Sequence, residues 1–376
     1  MLDLLRDLWT LMKAEKKFWL APVVIVLLAI GVLDERLIAF PTKNSIKFLH
    51  GRTRRTRTQR PGPISSIALE KIVPDKLMVM VTGGAGFIGS NLVDALVAQG
   101  HRVRIIDNFA TGKQQRINRQ ADLVNADIRN LESIRAAFKD VDCVFHCAAL
   151  PRVPLSIENP VETHLVNVVG TLNVLLAARD AKVRRVINSG SSSVYGNQAR
   201  LPLQEDMPPN PLNPYALQKL TGEIYTRLFH QLYGMQTLTL RYFNVYGPRM
   251  ADEGAYVTVI SVFLRAKKAG KPLTIQGDGE QSRDFTHVSD VVRANVLAMD
   301  CAVADGRAIN IGAGNRVSIN EVAKQVGGPI TTLPPRPGDA RHTLADTTEA
   351  RQILGWSPQM NFKIGLGELL EAAARG

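Results

Sequence analysis

Tyr215 and Lys219 stand four residues apart in "NPYALQKLTGEIYTRLFHQLYG". On a helix that spacing puts both side chains on one face. A free phenol has a pKa near 10 and is a poor base at neutral pH. A neighbouring ammonium favours the phenolate, and a place in the first helical turn adds a dipole contribution of the same sign. Asn213 is placed to cap this helix and Pro214 to occupy its first position. Such a pair also occurs as ordinary helix surface, so by itself it decides nothing. Upstream, "SGSSSVYG" (189–196) offers three consecutive hydroxyls ahead of Tyr195. They could form a turn, cradle a phosphate, or hydrogen-bond a reacting oxygen.

The pair gains weight from a glycine turn far upstream. "LMVMVTGGAGFIGSNLVDALVAQG" reads as strand, turn and helix, with Gly83, Gly86 and Gly89 in G-x-x-G-x-x-G spacing. The first glycine permits the tight turn, the second lets backbone approach a pyrophosphate, and the third lets helix pack on strand. The helix N-terminus then offers free N–H groups to the phosphates. The next strand, "HRVRIID", ends at Asp107. A carboxylate there accepts from both ribose hydroxyls and repels a 2′-phosphate, which predicts NAD rather than NADP. Arg102 and Arg104 lie before it, poorly placed to rescue NADP binding. Asp127, after "DLVNA", could reach the adenine amino group or simply serve as a turn aspartate.

These residues need a scaffold, and the pattern supplies one. "DLVNADI", "DCVFHCAAL" and "RRVINSGS" read as strands, and "NPVETHLVNVVGTLNVLLAARD" as a helix. The alternation predicts an α/β fold, a Rossmann-type doubly wound parallel sheet over residues 78–245. Residues 246–376 lose the regular rhythm and are expected to form mainly a smaller α/β substrate-binding domain, with some segments returning to the first.

The net charge of +12 suggests nucleic acid until it is divided. Residues 1–77 hold 14 basic and 7 acidic residues, and the remainder is only mildly basic. No nucleic-acid partner is therefore expected; a mild positive field suits a small anionic ligand. Cys143, Cys147 and Cys301 fit neither a disulfide framework nor a zinc-site spacing, so no metal is expected. The apolar run Phe18–Leu33 has 16 residues, short of the roughly 20 that cross a bilayer comfortably. Lysines precede it and Trp19 could sit at an interface. The reading is a helix at about 17–33 touching a membrane, then a disordered basic linker at 50–76. The catalytic body would then be cytoplasmic, tethered to the inner membrane. Met78 and Met80 admit another reading, in which translation starts there and the leader is non-native.

Taken as a set, "TGGAGFIGS", "NVVGTLNVL", "SSSVYG", "NPYALQK", "RYFNVYGPR" and "RDFTHVSD" resemble the NAD-dependent epimerase/dehydratase family of extended short-chain dehydrogenases/reductases. The resemblance covers about residues 78–376 and is strongest to the UDP-glucose and UDP-N-acetylglucosamine 4-epimerases. It implies Tyr215 as acid/base on a sugar hydroxyl, Lys219 on the nicotinamide ribose lowering the tyrosine pKa, and Ser191 as the hydroxyl partner. It implies further NAD contacts at Phe87, Ile88, Asn108, Ile128, Ala148, Ala149 and Asn167. On the substrate side it implies Ser192, Ser193, Asn244, Arg283, Arg336 and Asp339, with Thr343 near the sugar 2-substituent. A small residue there resembles the enzymes that accept N-acetylated sugars. A homodimer through the helices around 160–179 and 213–233 is also implied.

Ser192 and Ser193 stand where the eliminating and decarboxylating relatives carry carboxylates. A hydroxyl cannot serve as a base at neutral pH. Oxidation and re-reduction at one carbon needs no further base, so the expectation is a UDP-GlcNAc/UDP-GalNAc 4-epimerase, with UDP-Glc/UDP-Gal as a further pair. The alternatives are a decarboxylase, a dehydratase, a UDP-uronate epimerase, or a non-catalytic NAD-binding scaffold.

Overall fold

The computed structural model describes residues 76–251, 258–335, 338 and 340–375. The leader expectations and those for Arg336 and Asp339 lie outside the described residues. Seven strands form one parallel sheet: β1 (Met78–Thr82), β2 (Arg102–Asp107), β3 (Asp122–Asn125), β4 (Cys143–His146), β5 (Arg185–Ser191), β6 (Gln236–Tyr242) and, five strands later in the chain, β11 (Asp305–Ile311). Their spatial order is β11-β6-β5-β4-β1-β2-β3. The order reverses between β1 and β4, the switch point at which open α/β sheets bind ligands.

Both faces of the sheet are covered, so its strands read as apolar runs rather than alternating ones. In "MVMVT" the alternation is between two cores. Val79 and Val81 pack with Leu92, Val93 and Leu96 of α1 (Phe87–Ala98) and with Val291 of α7 (Val288–Asp300). Met78 and Met80 pack with Val174 and Ala178 of α4 (Pro160–Asp180) and Phe229 of α5 (Pro214–Tyr233). By length and composition α4 could cross a bilayer, yet much of it is buried inside this protein. Burying one apolar face of each helix at about 25 cal/mol per Å2 is what holds these layers together.

α5 follows the expected signals. Asn213 caps it, its side chain accepting from the Ala216 N–H at 2.9 Å; Pro214 opens it; and Gly234 ends it at φ 65°. α4 departs from the regular pattern. Leu165–Gly170 forms one wide π-helical turn inside it. Such a turn redirects side chains and is frequent near functional sites.

Beyond β6, three short pairs carry the second half: β7 (Val245–Tyr246) with β10 (Thr286–His287), β8 (Leu273–Gln276) with β13 (Ile330–Leu333), and β9 (Ser282–Arg283) with β12 (Val317–Ser318). They pack around a separate core of Tyr246, Ile260, Phe263, Leu273, Phe285 and Phe362. β11 and α7 belong instead to the large sheet and its first core.

Candidate active site

A cavity of about 520 Å3 opens at the carboxyl ends of β1, β2, β4 and β5. At one end lies the glycine turn. Gly83 sits at φ +72°, and a Cβ on Gly89 would lie 2.1 Å from the Gly83 carbonyl oxygen. Only glycine permits that approach of helix to strand. α1 starts at Gly86 with no side-chain cap and no acidic residue in its first turn. Phe87, Ile88 and Gly89 therefore turn first-turn backbone toward the cavity without a competing carboxylate. This cradle fits the pyrophosphate of NAD.

Asp107 ends β2 and is buried on the cavity wall. Its carboxylate accepts from the N–H of Ala85 at 2.9 Å and of Phe109 at 2.8 Å, which fixes it beside the glycine turn. Arg104 donates to the carbonyls of Ala137 and Lys139, on the far side from Asp107. Asp127 lines the cavity but is engaged in this structure. Arg129 grips it through Nε and Nη2, Asn108 donates to it at 2.9 Å, and Arg129 continues to Glu162 at 2.7 Å. The Arg129 fork holds the Asp127 carboxyl down to about 2. Ile128, Ala148 and Ala149 also line the cavity.

Asn167 does not. It is buried, and its amide accepts from the Leu150 N–H at 2.8 Å while donating to the Leu150 carbonyl and to Gln218. The wide turn in α4 aims it at the loop after β4. It braces that loop beside the cavity.

At the other end stand the three catalytic candidates. Ser191 ends β5 and caps a short 3₁₀ turn, Ser192–Tyr195. Its Oγ lies 2.8 Å from the Ser193 Oγ. Tyr215 and Lys219 project from the first turns of α5 onto the same cavity wall. The Tyr215 N–H donates to the Ser156 hydroxyl at 3.0 Å, which fixes the helix start. Burial pushes the Tyr215 phenol up to about 12, with the Ser191 hydroxyl pulling the other way. The lowering expected from Lys219 is not seen. The Lys219 ammonium donates instead to the Ser189 carbonyl at 2.9 Å, and burial brings it down to about 8. Desolvation acts on both groups against their charged forms.

Beneath this wall lies a network that motif reading missed. His146 is buried between the hydroxyls of Thr82, at 2.8 Å from Nδ1, and Thr171, at 2.9 Å from Nε2. Thr171 gives its own proton to the Asn167 carbonyl, so it must accept from His146. That assigns the Nε2–H tautomer, with Thr82 donating to Nδ1 and accepting from the Ala148 N–H. Burial, then the Lys219 charge, pulls His146 down to about 3. It is a neutral brace, not a proton carrier, and a histidine inside the apolar run "CVFHCAA" was its only sequence signal. Cys143 in the same run is buried and pushed up to about 12 by burial, as a packing residue should be.

The residues expected on the substrate side come from three distant segments. Asn244, at φ 24°, Arg283 and Thr343 all line the cavity. Thr343 is buried, its Oγ1 accepting from the Asp284 N–H at 3.2 Å and lying 3.4 Å from the Asn244 Oδ1. The organiser is Asp284, which is completely buried and which motif reading did not single out. Its carboxylate accepts from the N–H groups of Ala313, Gly314 and Ala345. A second cavity of about 830 Å3 adjoins the first and shares Asn244, Thr258 and Arg283 with it.

A nucleotide-binding parallel sheet with Ser191, Tyr215 and Lys219 on one cavity wall defines an extended short-chain dehydrogenase/reductase. Comparison narrows the class: the chain belongs to the NAD dependent epimerase/dehydratase family, whose model matches residues 79–312. A UDP-glucose 4-epimerase of Mycolicibacterium smegmatis is 38% identical over 312 residues, 78% of this chain and 98% of that one. Among solved structures, a UDP-N-acetylglucosamine 4-epimerase of Methanobrevibacter ruminantium is 36% identical with a TM-score of 0.75, covering 79% of this chain and 97% of its own. A UDP-glucuronic acid 4-epimerase of Bacillus cereus, solved with UDP-glucuronic acid and NAD, is 31% identical with a TM-score of 0.74, covering 80% and 99%. A second family model, described as a family of unknown function (DUF5989), matches residues 2–45 of the leader. NAD is the cofactor of the family.

Proposed function

We propose that the chain is a UDP-sugar 4-epimerase that interconverts UDP-GlcNAc and UDP-GalNAc, with UDP-Glc and UDP-Gal as a second pair. One observation carries the reading. Ser191, Tyr215 and Lys219 share a cavity wall, while the described acids lining that cavity, Asp107, Asp127 and Glu162, belong to its nucleotide end. The positions beside Ser191 hold hydroxyls, so the described sugar end offers no second base for elimination.

Bound NAD would supply a reversible hydride acceptor for sugar carbon 4. The chain's own residues handle the proton. Tyr215 takes it from the 4-hydroxyl and returns it after the ring has turned over. Ser191 hydrogen-bonds the same oxygen and steadies its developing charge. Lys219, anchored on the Ser189 carbonyl, supports the nicotinamide ribose. Burial pushes the Tyr215 phenol up to about 12 in the cofactor-free protein, and a positive cofactor charge beside it would lower it toward working range. Arg283 serves the diphosphate as a planar guanidinium. Thr343, Gly338 and Ala340 line the cavity as small residues, which supports a sugar with a 2-acetamido group.

The reading includes a homodimer. Leu217, Ile224 and Leu228 on α5 and Val161 and Leu165 on α4 are exposed along adjacent faces, and large exposed apolar stripes mark partner surfaces. It also includes the leader as native sequence, supported by its own family match, holding the body at a membrane through residues 17–33. The decisive experiment is incubation with UDP-Glc, UDP-GlcNAc and UDP-GlcA, read by NMR. Interconversion of the acetylated pair is expected. Turnover of UDP-Glc without UDP-GlcNAc would refute the substrate assignment, and loss of carbon dioxide from UDP-GlcA would refute the reaction.

A further inference from the structure

Behind the catalytic wall lies a buried charged cluster that no step above uses. Arg241 on β6 pairs with Glu223 through two parallel bonds, Nε to Oε2 at 2.9 Å and Nη2 to Oε1 at 2.6 Å. Its Nη1 donates to the Tyr195 hydroxyl at 2.6 Å, and its guanidinium lies 4.8 Å from the centre of the Tyr195 ring. Tyr195 passes its own proton to the Asn310 Oδ1 at 2.7 Å. Tyr195 and Asn310 are completely buried, and Arg241 and Glu223 nearly so. A buried ion pair is poor evidence for stability, because desolvation offsets most of its attraction. Its value here lies in what it joins.

Glu223 is one turn beyond Lys219 and two beyond Tyr215, along the same stripe of α5. Tyr195 ends the 3₁₀ turn that Ser191 begins. Arg241 lies opposite Gly190, the residue before Ser191, in the β5–β6 register. The cluster therefore links the serine turn to the tyrosine helix through one rigid guanidinium. The Ser191 and Tyr215 oxygens must meet on a single sugar hydroxyl, and they come from separate elements.

We propose that the Tyr195–Arg241–Glu223 cluster is a positioning clamp that sets the distance between Ser191 and Tyr215. The proposal rests on the epimerase reading of the site for its kinetic consequence, and on geometry alone for its structural one. Tyr195→Phe removes one hydroxyl and keeps the ring. It should lower kcat about tenfold, since small misplacements of reacting groups are costly, with KM and bound NAD unchanged. A double-mutant cycle with Ser191→Ala separates positioning from general weakening. If the clamp acts through Ser191, Tyr195→Phe adds almost nothing in the Ser191→Ala background. Full additivity, or an unchanged kcat in the single variant, would overturn the proposal. Glu223→Gln, which keeps an acceptor for Arg241, should show the same pattern more weakly. A crystal structure of Tyr195→Phe reads the device without turnover: a longer Ser191 to Tyr215 oxygen separation is expected, and an unaltered one refutes it. Absence of turnover in the wild type would count against the epimerase reading, and the crystallographic arm would still judge the clamp.

Discussion

The two ends of the cavity are built by opposite means. The nucleotide end is local: Gly83, Gly86, Gly89 and Asp107 lie within one strand–helix–strand unit, and much of the recognising surface is backbone. The proposed sugar end is assembled across the chain. Asp284 reaches partners 29, 30 and 61 residues away to bring Arg283, Thr343 and the loop at 313–314 together. A local site tolerates little change because its geometry is its sequence. An assembled site can change one segment at a time, which suits a family whose members differ in the sugar they take.

Four substitutions test that contrast. Tyr215→Phe removes the chemistry from between the two ends and should cost about a thousandfold in kcat, with NAD and UDP-sugar binding intact. Surviving turnover would show that the base is elsewhere. Gly89→Ala strikes the nucleotide end, because its methyl would meet the Gly83 carbonyl. It should destabilise by about 2 kcal/mol and strip most NAD during purification, measured by absorbance of the released cofactor. Asp284→Asn strikes the sugar end. An amide cannot accept from all three backbone donors, so a loss of about 2 kcal/mol is expected. KM for the UDP-sugar should rise while NAD content stays at the wild-type level. Equal damage to both ends would erase the distinction between them.

The smallest effect concerns Lys219, whose pKa falls from the ordinary 10.5 to about 8 on burial. A lowered base binds fewer protons folded than unfolded, so its contribution to stability rises with pH between 8 and 10.5. In the cofactor-free protein, Lys219→Met removes the cost of burying the ammonium. Its Tm should exceed that of the wild type at pH 7 by a few degrees, with a margin that shrinks toward pH 10. A constant margin would mean that the ammonium is not desolvated in solution.

The same contrast explains what the sequence made legible. The start of α5 was readable, because Asn213 and Pro214 act on their own neighbours. The glycine turn and Asp107 were readable for the same reason. The wide turn that carries Asn167 was not legible, because nothing in "LVNVVG" announces it. The burial that raises the Tyr215 phenol was not legible, because spacing gives the nearest charge but not the depth of burial. His146, Asp284 and Arg241 escaped notice because each is defined by partners on other elements. Single positions in a pattern do not reveal such wiring; only the fold brings the ends together.

The reach of Asp284 has a consequence during synthesis. Ser191, Tyr215 and Lys219 have all left the ribosome long before Ala345, whose N–H completes the sugar end. At about 5–20 residues per second, the catalytic trio waits on the order of ten seconds for the segment that closes over it. Through that interval every residue of the dinucleotide cradle, from Gly83 to Asp107, is already synthesised, while the segment carrying Ala345 is not.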